Sequence, residues 1–263
     1  MTQKFGYIFV NSLFAPKGDA FAASLKQYGE ALEGLGGIKV TTDSQKSSLP
    51  LVYFMATGGT EQVLLDIRQQ RSKDTGGEPV FIVAYPAHNS LPASLEVLAR
   101  LQQDGAQGQI LYLNSSRDAK GLQKIQDVLT DYKVAAELKQ ARIGLLGAPS
   151  DWLVASSPEH SVVQETWGPE VVPVSLDEIN ELIKNISPGT IPAVRDPLVE
   201  GATNIQEPSP ADLDNVVRVY LALKQVIEKY QLDALTIRCF DLVLGLETTG
   251  CFGLSQLTDE GII

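Results

Sequence analysis

Short, nearly unbroken apolar runs alternate along this chain with longer stretches whose apolar positions recur every three or four residues. Lys4–Val10, Leu51–Ala56 and Val80–Tyr85 are runs of the first kind, as expected of strands covered on both faces. Ile38–Thr41, followed by a polar turn, and Ile110–Leu113 are shorter versions. Between them, Phe21, Leu25, Tyr28 and Leu32 fall on one helical stripe that Gly34, Gly36 and Gly37 bring to an end. Further helices are predicted from Thr57–Glu61 through Arg71, and from Ser90 to Leu101. Strands alternating with helices imply a parallel sheet with helices on both faces.

A long amphipathic helix is predicted over 119–141, with Leu122, Ile125, Leu129, Tyr132 and Ala136 on its apolar stripe. The strand–helix pattern then restarts, which divides the chain into domains 1–118 and 119–263. Arg142–Leu146 and Glu170–Val174 read as strands, and Leu176–Ile186 as a helix. Residues 187–208, rich in Pro, Gly and charge, read as a long connection. Ser209–Pro210 carries a helix start, and that helix runs to Tyr230. A last strand follows, with Leu235, Ile237 and Cys239 alternating with Thr236, Arg238 and Phe240. A loop to Cys251 and a short helix over 252–257 complete the pattern, and Ile262–Ile263 read as the start of another element. The fold class is α/β, with two Rossmann-like or flavodoxin-like parallel-sheet domains, the second incomplete at its C-terminal end.

The 263 residues are 44% hydrophobic, enough for a core in each half, and carry a formal net charge of −11. That charge, without a Lys/Arg cluster, argues against a nucleic-acid partner. Two cysteines fit a reducing compartment better than a disulfide framework. The first residues, Met1–Lys4, show no cleavable signal pattern, and no apolar run approaches the roughly 20 residues of a membrane span. The expectation is a cytoplasmic protein without a membrane partner.

Ligands of open α/β sheets bind beyond the carboxyl ends of the strands. The residues following the strands of the first half are Asn11 and Ser12; Thr57, Gly58, Gly59 and Thr60; His88, Asn89 and Ser90; and Asn114, Ser115 and Ser116. Almost all are neutral donors and acceptors, which suit a polyol better than a polyphosphate. Gly58 and Gly59 permit close backbone approach, and Thr60 could cap the following helix; a plain capped turn accounts for the same residues. The pair fits neither the dinucleotide nor the P-loop glycine pattern. In the second half, Gly147–Leu153 offers Trp152 to stack on a sugar face and Ser150 and Asp151 to bond hydroxyls; the alternative is Trp152 anchoring the loop to the core. His88 and His160 lack partners at metal-ligand spacing, and His160 reads as a surface-loop residue. Cys239 reads as buried packing, while Asp241 and Glu247 are carboxylates near the end of the last strand.

Cys239–Phe240, Cys251, Leu254–Leu257 and Asp259–Ile262 together resemble the second domain of the L-fucose and L-arabinose isomerase family. The Thr57–Glu61 turn and the Gly147–Leu153 loop are similar to segments of the same family. The resemblance implies an aldose–ketose isomerase in which a divalent cation, usually manganese, polarises the sugar carbonyl and a carboxylate shuttles the proton through a cis-enediol. The family's metal ligands follow the segment matched here. This chain is therefore expected to hold no catalytic residue, no metal ligand and no cofactor, and to be inactive alone. The implied partners are a small sugar and further copies of the chain, a homo-oligomer formed through the first domain whose strand ends complete a neighbouring subunit's site. Two alternatives share these features: a non-catalytic two-domain sugar-binding module, and a cofactor-independent racemase. The racemase draws its two cysteines from opposite halves, whereas Cys239 and Cys251 share one.

Overall fold

The alternation of in-pointing side chains explains the first sheet. The computed structural model describes residues 4–13, 15–41, 49–75 and 77–263. The start of the chain at Met1–Gln3 and the polar turn expected after the second strand lie outside the described residues. The chain divides into two compact units, Met1–Lys133 and Val134–Ile263. Unit 1 contains β1 (Phe5–Val10), α1 (Asp19–Gly34), β2 (Gly37–Lys39), β3 (Leu51–Met55), α2 (Glu61–Thr75), β4 (Val80–Ala84), α3 (Ser90–Gln103), β5 (Gly108–Tyr112) and most of α4 (Ala119–Leu138). The five strands are parallel, in the order β2-β1-β3-β4-β5.

Every second residue of the central strands goes to one core. Phe5 and Tyr7 of β1, Val52 and Phe54 of β3, and Phe81 and Val83 of β4 pack against Tyr28 and Leu32 of α1 and Ile125 and Leu129 of α4. The intervening residues, Ile8, Val10, Tyr53, Met55 and Ile82 among them, pack on the other face against Leu64 and Ile67 of α2 and Val97 and Leu101 of α3. With both faces covered, the strands are apolar along their whole length, which is why they were legible as continuous runs. The dividing line between the units falls inside α4, because Ile125 and Leu129 belong to the core of unit 1 and Tyr132 stacks edge-on against Phe81.

Unit 2 holds β6 (Arg142–Leu146), α5 (His160–Trp167), β7 (Glu170–Val174), α6 (Leu176–Asn185), a single 3-10 turn (Pro188–Thr190) and α7 (Pro192–Gly201). It continues with α8 (Pro210–Tyr230), β8 (Ala234–Ile237), α9 (Cys239–Leu246) and α10 (Cys251–Asp259). Three parallel strands lie in the order β7-β6-β8. One face of this sheet, carrying Leu146, Val172, Val174 and Leu235, packs on Ile179 and Ile183 of α6, Val219 and Leu223 of α8, and Leu257 of α10. The N-terminus of α8 is closed by a capping box. Ser209 Oγ accepts from the Asp212 amide, and Asp212 Oδ2 accepts from the Ser209 amide at 2.7 Å. Along the outer edge of β8, the Leu235 amide donates to the Ile263 carbonyl at 2.8 Å, and the Ile263 amide donates to Asp233.

Four readings of the second half change. The last strand stops at Ile237, and Cys239–Leu246, expected as strand and loop, is the helix α9. Alternation through Phe240 is coincidental there: Leu242 packs inward while Phe240 is exposed, and Asp241 in the first turn pairs with Arg238 at 2.7 Å. Cys239, expected to be buried, is half-exposed at the start of that helix, its Sγ accepting from the Gly250 amide at 3.1 Å. The long connection over 187–208 contains α7, because Ile191 and Val194 find cover against Val217 and Leu221 of α8. Finally, His160 does not lie in a loop; it is the exposed first residue of α5. No helix among the described residues is long and apolar enough to cross a membrane.

Candidate functional site

In unit 1 the chain leaves β1, pairs β2 on one side, then returns to place β3 on the other. The strand order therefore reverses between β1 and β3, the place where open α/β sheets form a crevice. Most of the strand-end residues singled out from the sequence meet there, at the carboxyl ends of β1, β3 and β4. The Ser12 amide donates to Thr57 Oγ1 at 2.9 Å, joining the first two ends. The Gly58 amide donates to the His88 carbonyl at 2.8 Å, joining the second to the third.

Several of these groups are spent on the scaffold. Thr57 is buried with its hydroxyl already accepting from Ser12. Thr60 is fully buried and donates its hydroxyl to the Thr57 carbonyl at 2.6 Å, so the hydroxyl proposed as a cap closes the turn instead. Ser90 is buried, accepting from the Tyr85 amide and donating to the Met55 carbonyl. Asn114 gives both its amide and its side-chain Nδ2 to Asp118, which also accepts from Gly121. Those bonds, the Asn114 backbone amide first, hold the Asp118 carboxyl down at about 2. Tyr85 is pushed up to about 12 by burial and by its neighbour Tyr28, and its neutral hydroxyl donates to the Ala56 carbonyl.

What remains open is a smaller set: Asn11, His88 and Asn89, all exposed, around the backbone of Gly58 and Gly59. No hydrogen bond among the described residues engages the side chains of Asn11 or Asn89. His88 and Asn89 are both left-handed, at φ 52° and 58°. Two successive non-glycine residues in that region carry strain that the surrounding structure must impose, a condition that collects at ligand sites. Asn89 is the N-cap of α3, yet its side chain caps nothing. An asparagine at an N-cap normally adopts extended backbone and accepts from the first turn; here the left-handed backbone leaves the amide unengaged. The His88 ring is held edge-on by Phe21 at 5.0 Å. Gly58 is required by close approach: a Cβ there would sit 2.9 Å from Asn89 Cβ. Gly59, at φ 72°, supplies the turn into α2. Beside Asn11 a cavity of about 680 Å³ runs between α1 and β2, floored by Tyr7, Phe9 and Gly29 and bordered by Lys26, Glu30, Glu33 and Lys39.

The second predicted set lies in unit 2. Ser150, Asp151 and Trp152 follow β6, in a loop that continues to Pro158. Trp152 is 64% exposed and contacts the exposed Phe240 ring at 6.1 Å, so it does not anchor the loop to the core. Asp151 is open to solvent, 4.0 Å from the Arg238 guanidinium. Of the three, Ser150 alone lines the cavity beneath the loop. Sequence reasoning missed Arg238, which donates to the Pro149 carbonyl at 3.3 Å and ties the loop to the end of β8. A single arginine inside an alternating run gave no signal of that role. Asp241 and Glu247 do not converge on a site: Asp241 pairs with Arg238, and Glu247 is the left-handed C-cap of α9.

Among the described residues there is no group of three or more His, Cys, Asp or Glu side chains that could hold a metal ion. Compared with known proteins, the chain matches no family model and no curated protein sequence.

Proposed function

We propose that the strand ends of unit 1 bind a neutral polyol, a monosaccharide, and that the chain is the sugar-holding part of a metal-dependent aldose–ketose isomerase of the L-fucose/L-arabinose type. The observation that carries this reading is the strained His88–Asn89 pair, which presents an unengaged amide and an imidazole near Gly59, a turn residue with nothing within 4 Å of where a Cβ would stand. An asparagine amide offers both donor and acceptor, the pairing that vicinal hydroxyls need, and Asn11 and Asn89 supply two of them. The isomerase assignment rests on the resemblance in Thr57–Glu61, Gly147–Leu153 and Cys239–Ile262.

Manganese, the cation that the resemblance implies, does not fit the described residues, and no step through a metal is assigned to them. Their part is to bind and orient the sugar: Asn11 and Asn89 at hydroxyls, His88 fixed by Phe21, and Gly59 leaving open space beside the turn. In a homo-oligomer formed through unit 1, the same ring would serve a neighbouring subunit's site.

The test is calorimetric titration of the chain with L-fucose and L-arabinose, beside Asn89→Gly. Glycine tolerates the left-handed backbone, so this variant removes the amide without straining the fold. Saturable one-site binding is expected in the parent, weakened about tenfold or more in the variant, a loss of about 1.4 kcal/mol. Equal binding in both, or none in the parent, would overturn the proposal.

A further inference from the structure

The sheet of unit 2 is covered unequally. Its α6/α8 face is packed, while the opposite face carries Ile143 and Leu145 of β6, Val171 of β7 and Thr236 of β8. The only helix among the described residues that crosses back from β6 to β7 is α5, which is eight residues long and fully buries none of them. Together with the loop over 147–158, it roofs the sheet without filling the space beneath. A cavity of about 380 Å³ is left, whose floor is aliphatic and whose roof adds Leu153, Val163 and Pro158. Ser150, Ser156, Ser157 and His160 stand among its lining residues.

We infer that this cavity is a binding site for an uncharged, amphipathic ring compound of about 10–20 non-hydrogen atoms, distinct from the sugar site of unit 1 and independent of it. Size selects the class: the volume lies at the lower end of the roughly 300–1,000 Å³ of small-molecule pockets, and a helix about 10–12 Å across cannot enter it. The floor selects against a bare sugar. A hydroxyl turned towards Ile143, Leu145 or Val171 would lose its hydrogen bonds to water, at about 1–3 kcal/mol each. An apolar ring on that floor gains instead. The head group meets the three serine hydroxyls and His160, which donate and accept. Net charge is disfavoured because Arg238, the one Lys or Arg lining the cavity, is already paired with Asp241 at 2.7 Å and bonded to the Pro149 carbonyl.

The test uses the neutral fluorophore N-phenyl-naphthylamine with the full chain and three variants. Val163→Trp fills the space from the roof. Ser156→Trp does so from an exposed loop position, where misfolding is not an issue. Leu244→Ser alters an exposed apolar residue of α9 that does not line the cavity. One molecule is expected per chain, with affinity at least about tenfold weaker in both tryptophan variants and unchanged in Leu244→Ser. Several molecules per chain, affinity unaffected by both tryptophans, or loss on Leu244→Ser would each overturn the site. Competition by L-fucose would also overturn it, by merging it with the sugar reading.

Discussion

Replacing Gly58 by alanine tests whether the strained pair at 88–89 is held by contact. The added Cβ would stand 2.9 Å from Asn89 Cβ and 3.3 Å from the Asn89 carbonyl oxygen. Neither is the free end of a flexible side chain, so the loop after β4 must move away from the end of β3. Overpacking of this kind costs about 1–3 kcal/mol. The movement also strains the 2.8 Å bond from the Gly58 amide to the His88 carbonyl, worth about 0.5–1.5 kcal/mol net. A total of about 2–4 kcal/mol is expected. Gly59→Ala provides the contrast. Gly59 has φ 72° but nothing within 4 Å of its added Cβ, so alanine there bears only the left-handed penalty of about 1–2 kcal/mol. Urea unfolding followed by far-ultraviolet circular dichroism ranks the two. Tryptophan fluorescence reports unit 2 separately, because both tryptophans, Trp152 and Trp167, lie there. Gly58→Ala should shift the dichroism transition further than Gly59→Ala, with little change in the fluorescence transition. The reverse ranking would refute the close-contact account and with it the explanation of the Asn89 backbone.

Two further outcomes follow from the same packing. Leu129→Ala, at a fully buried position of α4, should cost unit 1 about 2–5 kcal/mol, measured by the same urea titration; a cost under about 1 kcal/mol would place α4 outside that core. Asp118 has its carboxyl lowered from 3.8 to about 2 in the fold, so its contribution is fully present above 3.8 and is lost as pH falls through about 2. Asp118→Asn should therefore be less stable than the parent at neutral pH, with the difference vanishing in acid titrations near pH 2; a difference constant with pH would contradict that assignment.

The parallel strands of unit 1 were legible because burial on both faces leaves no room for polar residues in Val80–Ala84 or Leu51–Met55. The short helices were not. In α5, only Val163 of HSVVQETW is even half-buried, so no apolar stripe marks it. In α9, Leu242 and Leu246 turn inward while Phe240, Val243 and Leu244 are exposed, and strand-like alternation continues across its start. The candidate site was legible as a set of strand ends but not in its division of labour. Thr57, Thr60 and Asn89 are all ordinary capping residues in sequence. Only the geometry separates two threonines consumed by the turn from an asparagine whose left-handed backbone withdraws it from capping.

Each unit puts its first strand in the middle, flanked by its second and third: β2-β1-β3 and β7-β6-β8. Each therefore opens a crevice beside the end of that strand, and the chemistry of the two crevices differs for a physical reason. In unit 1 the 16-residue α1 and the long α4 cover the centre of the sheet face, leaving the rim and the cleft between α1 and β2 open. At that rim the hydroxyls of Thr57, Thr60 and Ser90 stitch the strand ends together. The groups left over are the Asn11 and Asn89 side-chain amides and the His88 imidazole, which between them offer donors and acceptors. In unit 2, α5 is too short to cover the sheet, so the aliphatic face itself becomes the floor of the cavity. On the two proposals above, a polyhydroxylated ligand would gain at the first crevice and lose at the second, and an apolar ring would do the opposite. One strand order thus yields two differently lined crevices, and the length of the helix after the first strand distinguishes them.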